Sequence, residues 1–161
     1  MDAIDREIID LLVADGRRSV QDIADRVRLS ASATRERLRR LERDGPVTGY
    51  TAVLDPAAMG FGVQALVEVE MVPGTDPVAF EAGLRGIDAV VEALHATGEH
   101  DYIVRVRCRD TAELHHTVRC LKVDLGAAHT RTRVVLDESV PARPRTAWHR
   151  AMESAGTVGY G

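Results

Sequence analysis

The chain has 161 residues, 45% hydrophobic and 29% charged, with a formal net charge of −4. That length holds one ordinary domain or two small ones, and the apolar fraction excludes wholesale disorder. No apolar run approaches the roughly 18–20 residues of a membrane span, and the acidic, amphipathic first ten residues lack the basic and apolar regions of a secretory signal.

Ile4, Ile8, Leu11 and Leu12 recur at helical spacing and predict a first helix that stops at Gly16. Ser19 starts a second helix, with Asp22 three residues on as a partial capping box and Val20, Ile23, Ala24 and Val27 on one face. Arg28 and Leu29 make a short turn. Ser30 then caps a third helix running to about Asp44, buried through Thr34, Leu38 and Leu41. Gly45-Pro46 is a strong stop, because proline cannot continue the hydrogen-bond ladder. Two short helices joined by a tight turn form a helix-turn-helix, and the first helix closes its small core. About 45 residues bury too little surface to be robust alone, so a partner domain or a dimer is expected.

Residues 47–55, with Gly49 and Tyr50, read as a strand, and Asp55-Pro56 and Met59-Gly60 as a connector. The pattern then changes to period two: Val63, Ala65, Val67, Val69 and Met71 alternate with Gln64, Leu66, Glu68 and Glu70. Pro73-Gly74 ends that strand. Phe80, Leu84 and Ile87 predict a helix after Asp76-Pro77, residues 90–97 a second strand and residues 101–109 a third. In the third, Tyr102, Val104, Val106 and Cys108 face one way and Ile103, Arg105, Arg107 and Arg109 the other. Leu114, Val118, Leu121 and Leu125 give a helical stripe, and residues 128–137 a fourth strand. Strand–helix–strand–strand–helix–strand is the βαββαβ, ferredoxin-like plan, with helices on one face of the sheet. The other face carries Leu66, Leu94, Ile103 and Val135 among charges, which implies a second copy covering it. The fold class is therefore α+β: a (winged) helix-turn-helix in residues 1–46, a strand and hinge in 47–61, a ferredoxin-like domain in 62–140, and an extension from 141 to 161 with Trp148, Met152 and Tyr160.

The charge is unevenly spread. Twenty of the twenty-one basic residues are Arg, Lys122 being the exception, and residues 26–43 carry seven Arg against two acids, net +5. Residues 51–140 are net −6. A short cationic helix on an acidic protein is a local electrostatic footprint of the kind that meets a polyanion. Cys108 and Cys120 are too few for a disulfide framework and lack metal-site spacing, so they read as buried thiols in a reducing cytosol. The six histidines (His95, His100, His115, His116, His129 and His149) form no pair with zinc-ligand spacing. No nucleophile elbow, phosphate loop or carboxylate dyad appears, so no enzyme, metal or cofactor is expected.

The stretch from Ile4-Asp5-Arg6-Glu7-Ile8-Ile9 through Asp15-Gly16-Arg17-Arg18-Ser19, Ile23-Ala24 and Leu29-Ser30 to Arg37-Leu38-Arg39-Arg40-Leu41-Glu42 and Gly49-Tyr50 resembles the N-terminal domain of the leucine-responsive regulator/asparagine regulator (Lrp/AsnC) family. Thr97-Gly98-Glu99-His100-Asp101-Tyr102 and Thr130-Arg131-Thr132 resemble segments of that family's ligand-sensing domain. The resemblance spans about residues 2–140. Pro46 departs from it, standing where the family has a large apolar residue.

The resemblance implies a cytoplasmic, nucleoid-associated transcriptional regulator that binds a pseudo-palindromic operator in double-stranded DNA. It also implies a homodimer, a higher assembly such as a tetramer or octamer, and a small effector, an amino acid being the expected class. On the third helix, Ala31, Ser32, Ala33, Arg35 and Glu36 are placed to meet base edges, beside the cap Ser30. Arg35 is expected to read bases, and Arg37, Arg39, Arg40 and the turn residue Arg28 to hold the backbone. Gly98, Glu99, His100, Asp101 and Tyr102 are the expected effector contacts, with Thr130 and Thr132 as weaker ones. Gly98 would offer an amide to a carboxylate, and Glu99 and Asp101 would accept from an α-ammonium. The alternatives are a sirohaem-decarboxylase-like enzyme on the same architecture and a ligand-independent architectural DNA-binding protein.

Overall fold

The structure is a computed structural model that describes residues 1–138. The described chain divides into two compact units, the boundary falling after Ala52. The extension from residue 141, with Trp148, Met152, Tyr160 and His149, lies outside the described residues.

The first unit has three helices: α1 (Ala3–Ala14), α2 (Val20–Val27) and α3 (Ala31–Arg43). Each begins on a side-chain cap that satisfies an otherwise orphaned amide. Asp2 and Asp5 cap α1 reciprocally, each carboxylate accepting the other's backbone N–H at 2.9–3.0 Å. Ser19 Oγ accepts from the Asp22 amide and Ser30 Oγ from the Ala33 amide. The reciprocal half of the Ser19 cap is missing, since Asp22 pairs with Arg18 at 2.6 Å and Arg26 at 3.4 Å. Ile8, Ile9, Ile23, Val27, Leu38 and Leu41 make the core.

The first helix ends at Ala14 with Asp15 as its C-cap, which leaves Gly16 in the C′ position expected of it. One local expectation changes. Residues 47–55 are not a strand. A strand exists only as part of a ladder, and this segment has no neighbour to pair with in the described chain, while Pro46 at its head has no amide to donate. No wing strand of the helix-turn-helix is thus formed among the described residues. Pro46 also modifies the end of α3. Gly45 turns the chain at φ 91°, and the amide that would close the turn onto Leu41 O is missing at Pro46. Val47 supplies it one residue later, at 3.1 Å.

The second unit contains β1 (Val63–Met71), α4 (Pro77–Arg85), β2 (Val90–His95), β3 (Tyr102–Cys108), α5 (Thr111–Val123) and β4 (Ala127–Val134). The sheet order is β2-β3-β1-β4 and every neighbouring pair is antiparallel, the split arrangement the element order predicts. The alternation sorts as expected: Ala65, Val67, Val69, Tyr102, Val104, Val106 and Cys108 are buried under α4 and α5. Phe80 and Leu84 of α4 and Leu114, Thr117 and Leu121 of α5 cover them. Val118 is only partly buried, because Thr117 takes the inward position and returns its hydroxyl to Glu113 O at 2.9 Å. Leu125 lies past the end of α5 and packs on Gly83. Cys108 is fully buried, which pushes its thiol pKa up, but Cys120 is not: it sits half-exposed on α5 with Sγ 3.6 Å from His116 Nε2. An i,i+4 pair on the outer face of an amphipathic helix is wet by geometry.

The uncovered face of the sheet is a charge lattice. Glu68 meets Arg133 at 3.0 Å and lies 3.9 Å from both Arg131 and His100, while Arg105 meets Glu92 at 3.1 Å.

Candidate functional site

Helix α3 turns 100° per residue, so its thirteen residues sort into faces. Thr34, Leu38 and Leu41 form the buried face. Ser32, Arg35, Glu36, Arg39 and Arg43 lie within about 100° of one another on the opposite side, and all are exposed. Among the described residues, Arg35 and Arg39 have no carboxylate partner, and Arg43 pairs only with the adjacent Asp44. Ala33 is exposed and Ala31 half-buried at the helix start. Ser30 is committed to its cap.

Arg37 and Arg40 do not share that stripe. They lie roughly 140–200° around the helix from Arg35 and turn toward α1. Arg37 Nη1 donates to Asp2 Oδ2 and Asp5 Oδ1, both at 2.7 Å. Arg40 Nη2 donates to both Asp5 oxygens at 2.9 Å. The two acids raise the Arg37 pKa further above its usual range. Asp5 is 1% exposed. Burial raises its carboxyl pKa, but the Asp2 amide, Arg37 and Arg40 together outweigh burial and hold it below the usual range. The helical period alone separates the faces; what the sequence reading lacked was the neighbour, since Asp5 is 32 and 35 residues away.

Arg28 is the only non-glycine at positive φ among the described residues, at φ 56°, ψ 43°. It ends α2 in the left-handed region while its side chain stays exposed and unpaired with any carboxylate of the described residues. Holding an L-residue there costs about 1–2 kcal/mol.

In the second unit, residues 98–102 stand together at the turn from β2 to β3. Gly98 adopts φ 135°, closed to side chains. Asp101 staples the turn to the end of β1: its amide donates to Val69 O at 2.9 Å and its Oδ2 accepts the Met71 amide at 2.7 Å. Its carboxylate is thus partly spent on the scaffold. His100 points to the uncovered sheet face near Glu68. Tyr102 is core, 2% exposed, with its hydroxyl on Glu81 at 3.1 Å; burial first, then Glu81, raises its pKa. Thr130 and Thr132 are not brought to the turn. They pair with Val69 and Val67, so β1 separates them from β3.

A cleft of about 430 Å³ opens beside this turn, between it and the loop after β1. Glu99, Asp101 and Tyr102 line it, and among the other lining residues Glu70, Thr75 and His95 bring polar side chains that the sequence reading missed. A second cleft of about 430 Å³ shares His95 and Tyr102, whose rings stack at 4.5 Å and 14°. His95 ends β2 directly opposite Tyr102, a cross-strand neighbour that only the register reveals.

Comparison with known proteins follows this division. Residues 1–42 match the AsnC-type helix-turn-helix domain, and residues 64–144 the Lrp/AsnC ligand binding domain. The leucine-responsive regulatory protein of Haemophilus influenzae is 33% identical over 141 residues, covering 86% of this chain and 85% of that one. The transcriptional regulator NMB0573 of Neisseria meningitidis, in complex with L-methionine, superposes with a TM-score of 0.86 at 27% identity, covering 94% of this chain and 99% of that one. The feast or famine regulatory protein of Mycobacterium tuberculosis, also complexed with L-methionine, gives 0.84 at 31% identity, covering 89% and 97%.

Proposed function

The chain belongs to the Lrp/AsnC family of transcriptional regulators, and from that premise we propose a division of labour between its two units. It is an effector-responsive DNA-binding regulator. Residues 1–46 bind duplex DNA, 47–61 form the hinge, and 62–140 sense the effector and assemble the oligomer. The role is regulatory; the family comparisons support it over a decarboxylase-like enzyme.

The observation that carries the DNA reading is the exposed, unpaired stripe of Arg35 and Arg39 on α3. Guanidinium forks suit guanine edges and phosphates alike. Ser32, Ala33, Arg35 and Glu36, in the first turns of α3, meet base edges in the major groove, with Ala31 and Ser30 setting the approach of the helix start. Arg39 and Arg28 hold phosphates. Two copies related by a two-fold axis would set their recognition helices about 34 Å apart on a pseudo-palindromic operator. The unpaired segment 47–55, with Tyr50, Val53 and Leu54 exposed, and the half-apolar sheet face support self-association as a homodimer or higher oligomer. No described helix is long and apolar enough to cross a membrane; the match to a DNA-binding domain is what supports a place on the cytoplasmic nucleoid.

The effector is an amino acid held near the β2–β3 turn, by the Gly98 backbone, Glu99 and the free capacity of Asp101, with His100, Tyr102, Thr130 and Thr132 acting more remotely. L-Methionine, present in two relatives' structures, is the first ligand to titrate. Effector binding shifts the assembly equilibrium and hence DNA affinity by linkage. The test of the DNA reading is a duplex selected by the full chain from a random pool. Arg35→Ala lowers its preference over a scrambled duplex, and Arg39→Ala weakens both about equally. Equal losses from both variants on both duplexes refute the assignment, and no preference in the wild type favours an architectural protein.

A further inference from the structure

We infer that Asp5, on the first helix, is a positioning residue for DNA recognition, and that the two α3 arginines it holds, Arg37 and Arg40, are clamped cations rather than phosphate contacts. The inference rests on reading α3 as the DNA-binding helix, and it divides that helix's arginines into two classes with different work.

An ionised carboxylate offers about four lone-pair sites. Asp5 fills all four: Oδ1 takes Arg37 and Arg40, and Oδ2 takes Arg40 and the Asp2 amide. Each bond is 3.0 Å or shorter, and the acceptor is buried beneath its donors. Asp2 adds a second carboxylate to Arg37. A guanidinium held by two carboxylates carries little residual positive potential toward a phosphate. To reach DNA it would have to leave a buried acid uncompensated, a change far costlier than breaking a surface pair. Arg35 and Arg39 face no such choice.

The clamp also sets geometry. Leu38 and Leu41 fix how closely α3 approaches the core, but apolar contacts resist rotation about the helix axis weakly. Recognition demands that reading side chains stay within about 10–20° of the productive orientation. Two guanidiniums on one side of the helix, bonded to one buried carboxylate on a different helix, act against that roll. The first helix, which lies outside the two-helix motif itself, thereby sets where Arg35 points.

The salt dependence of DNA binding separates the two classes, because each neutralised phosphate contributes about 0.9 to the slope of log K against log salt. The probes are a duplex selected by the wild-type chain from a random pool and a scrambled duplex, with full-length protein in both cases. Arg37→Ala and Arg40→Ala leave the slope within error, while Arg39→Ala reduces it by about 0.9 per bound protomer. Asp5→Asn, equal in volume and uncharged, lowers the preference for the selected duplex about tenfold. It holds or steepens the slope on the scrambled duplex, because the arginines are released. A slope that falls with Arg37→Ala or Arg40→Ala as it does with Arg39→Ala overturns the inference, as does an Asp5→Asn variant with undiminished preference. If Asp5→Asn fails to fold, Arg40→Ala, whose side chain is 43% exposed, decides the slope question alone. Failure of the underlying DNA reading is distinguishable, because then Arg35→Ala and Arg39→Ala are silent too.

Discussion

Arg28→Gly should make the protein more stable and a poorer DNA binder at once. Arg28 holds φ 56°, ψ 43°, a conformation that costs an L-residue about 1–2 kcal/mol and glycine almost nothing. Glycine also loses more chain entropy on folding, so the net stabilisation is about 1 kcal/mol or slightly less. In a unit this small, about 1 kcal/mol moves the melting temperature by roughly 4–8 °C. If the exposed guanidinium meets a phosphate, removing it from both protomers of a dimer makes the salt slope shallower by about 1.8. Thermal denaturation followed by circular dichroism reads the first effect, and fluorescence anisotropy with a labelled duplex at three salt concentrations reads the second. Arg28→Ala is the control: it loses the charge but keeps the left-handed backbone, so it should reproduce the slope change without the gain in stability. A glycine variant that melts earlier refutes the strain argument. An unchanged slope removes Arg28 from the DNA contacts.

Three further outcomes test the packing and electrostatics. Thr34 is fully buried and its hydroxyl has no hydrogen-bond partner among the described residues, so Thr34→Val should add about 1 kcal/mol of stability, read as a higher urea midpoint; a lower midpoint means the hydroxyl is satisfied. At Gly83 an added methyl collides with Leu125 Cδ2. Gly83→Ala should therefore destabilise by about 1–2 kcal/mol despite its better helix propensity, and Leu125→Ala should suppress that loss in a double-mutant cycle, whereas additivity would refute the clash. Asp5 has a folded pKa below its ordinary 3.8. Its contribution is thus fully present above about pH 4 and lost as pH falls through the lower folded value. Urea midpoints at pH 5, 4, 3 and 2 should fall more steeply for wild type than for Asp5→Asn, and parallel curves would remove Asp5 as the source.

The helices and strands were legible because their signals are local. Period 3.6 with Ser and Asp caps marks α1 to α3, and period 2 marks β1 and β3, whatever surrounds them. Residues 47–55 show the limit: Val, Thr and Tyr give strand propensity, but a strand requires a partner, and the described chain offers none. The candidate effector turn was legible at Gly98–Tyr102 because it is contiguous. Glu70, Thr75 and His95 were not, because the pairing of β1 and β2 with β3 brings the strand ends Glu70 and His95 there, and Thr75 comes from the loop after β1.

The sequence by itself determined the architecture, the cationic character of α3 and the inward turn of Thr34, Leu38 and Leu41, since each follows from spacing within one element. Only the tertiary structure decided which arginines are paired with a carboxylate. Arg35, Arg37, Arg39 and Arg40 are chemically identical and adjacent in sequence. Helical phase puts Arg37 and Arg40 on a different side of α3 from Arg35 and Arg39, and packing of α1 against α3 then brings a carboxylate more than thirty residues away within hydrogen-bonding distance of that pair.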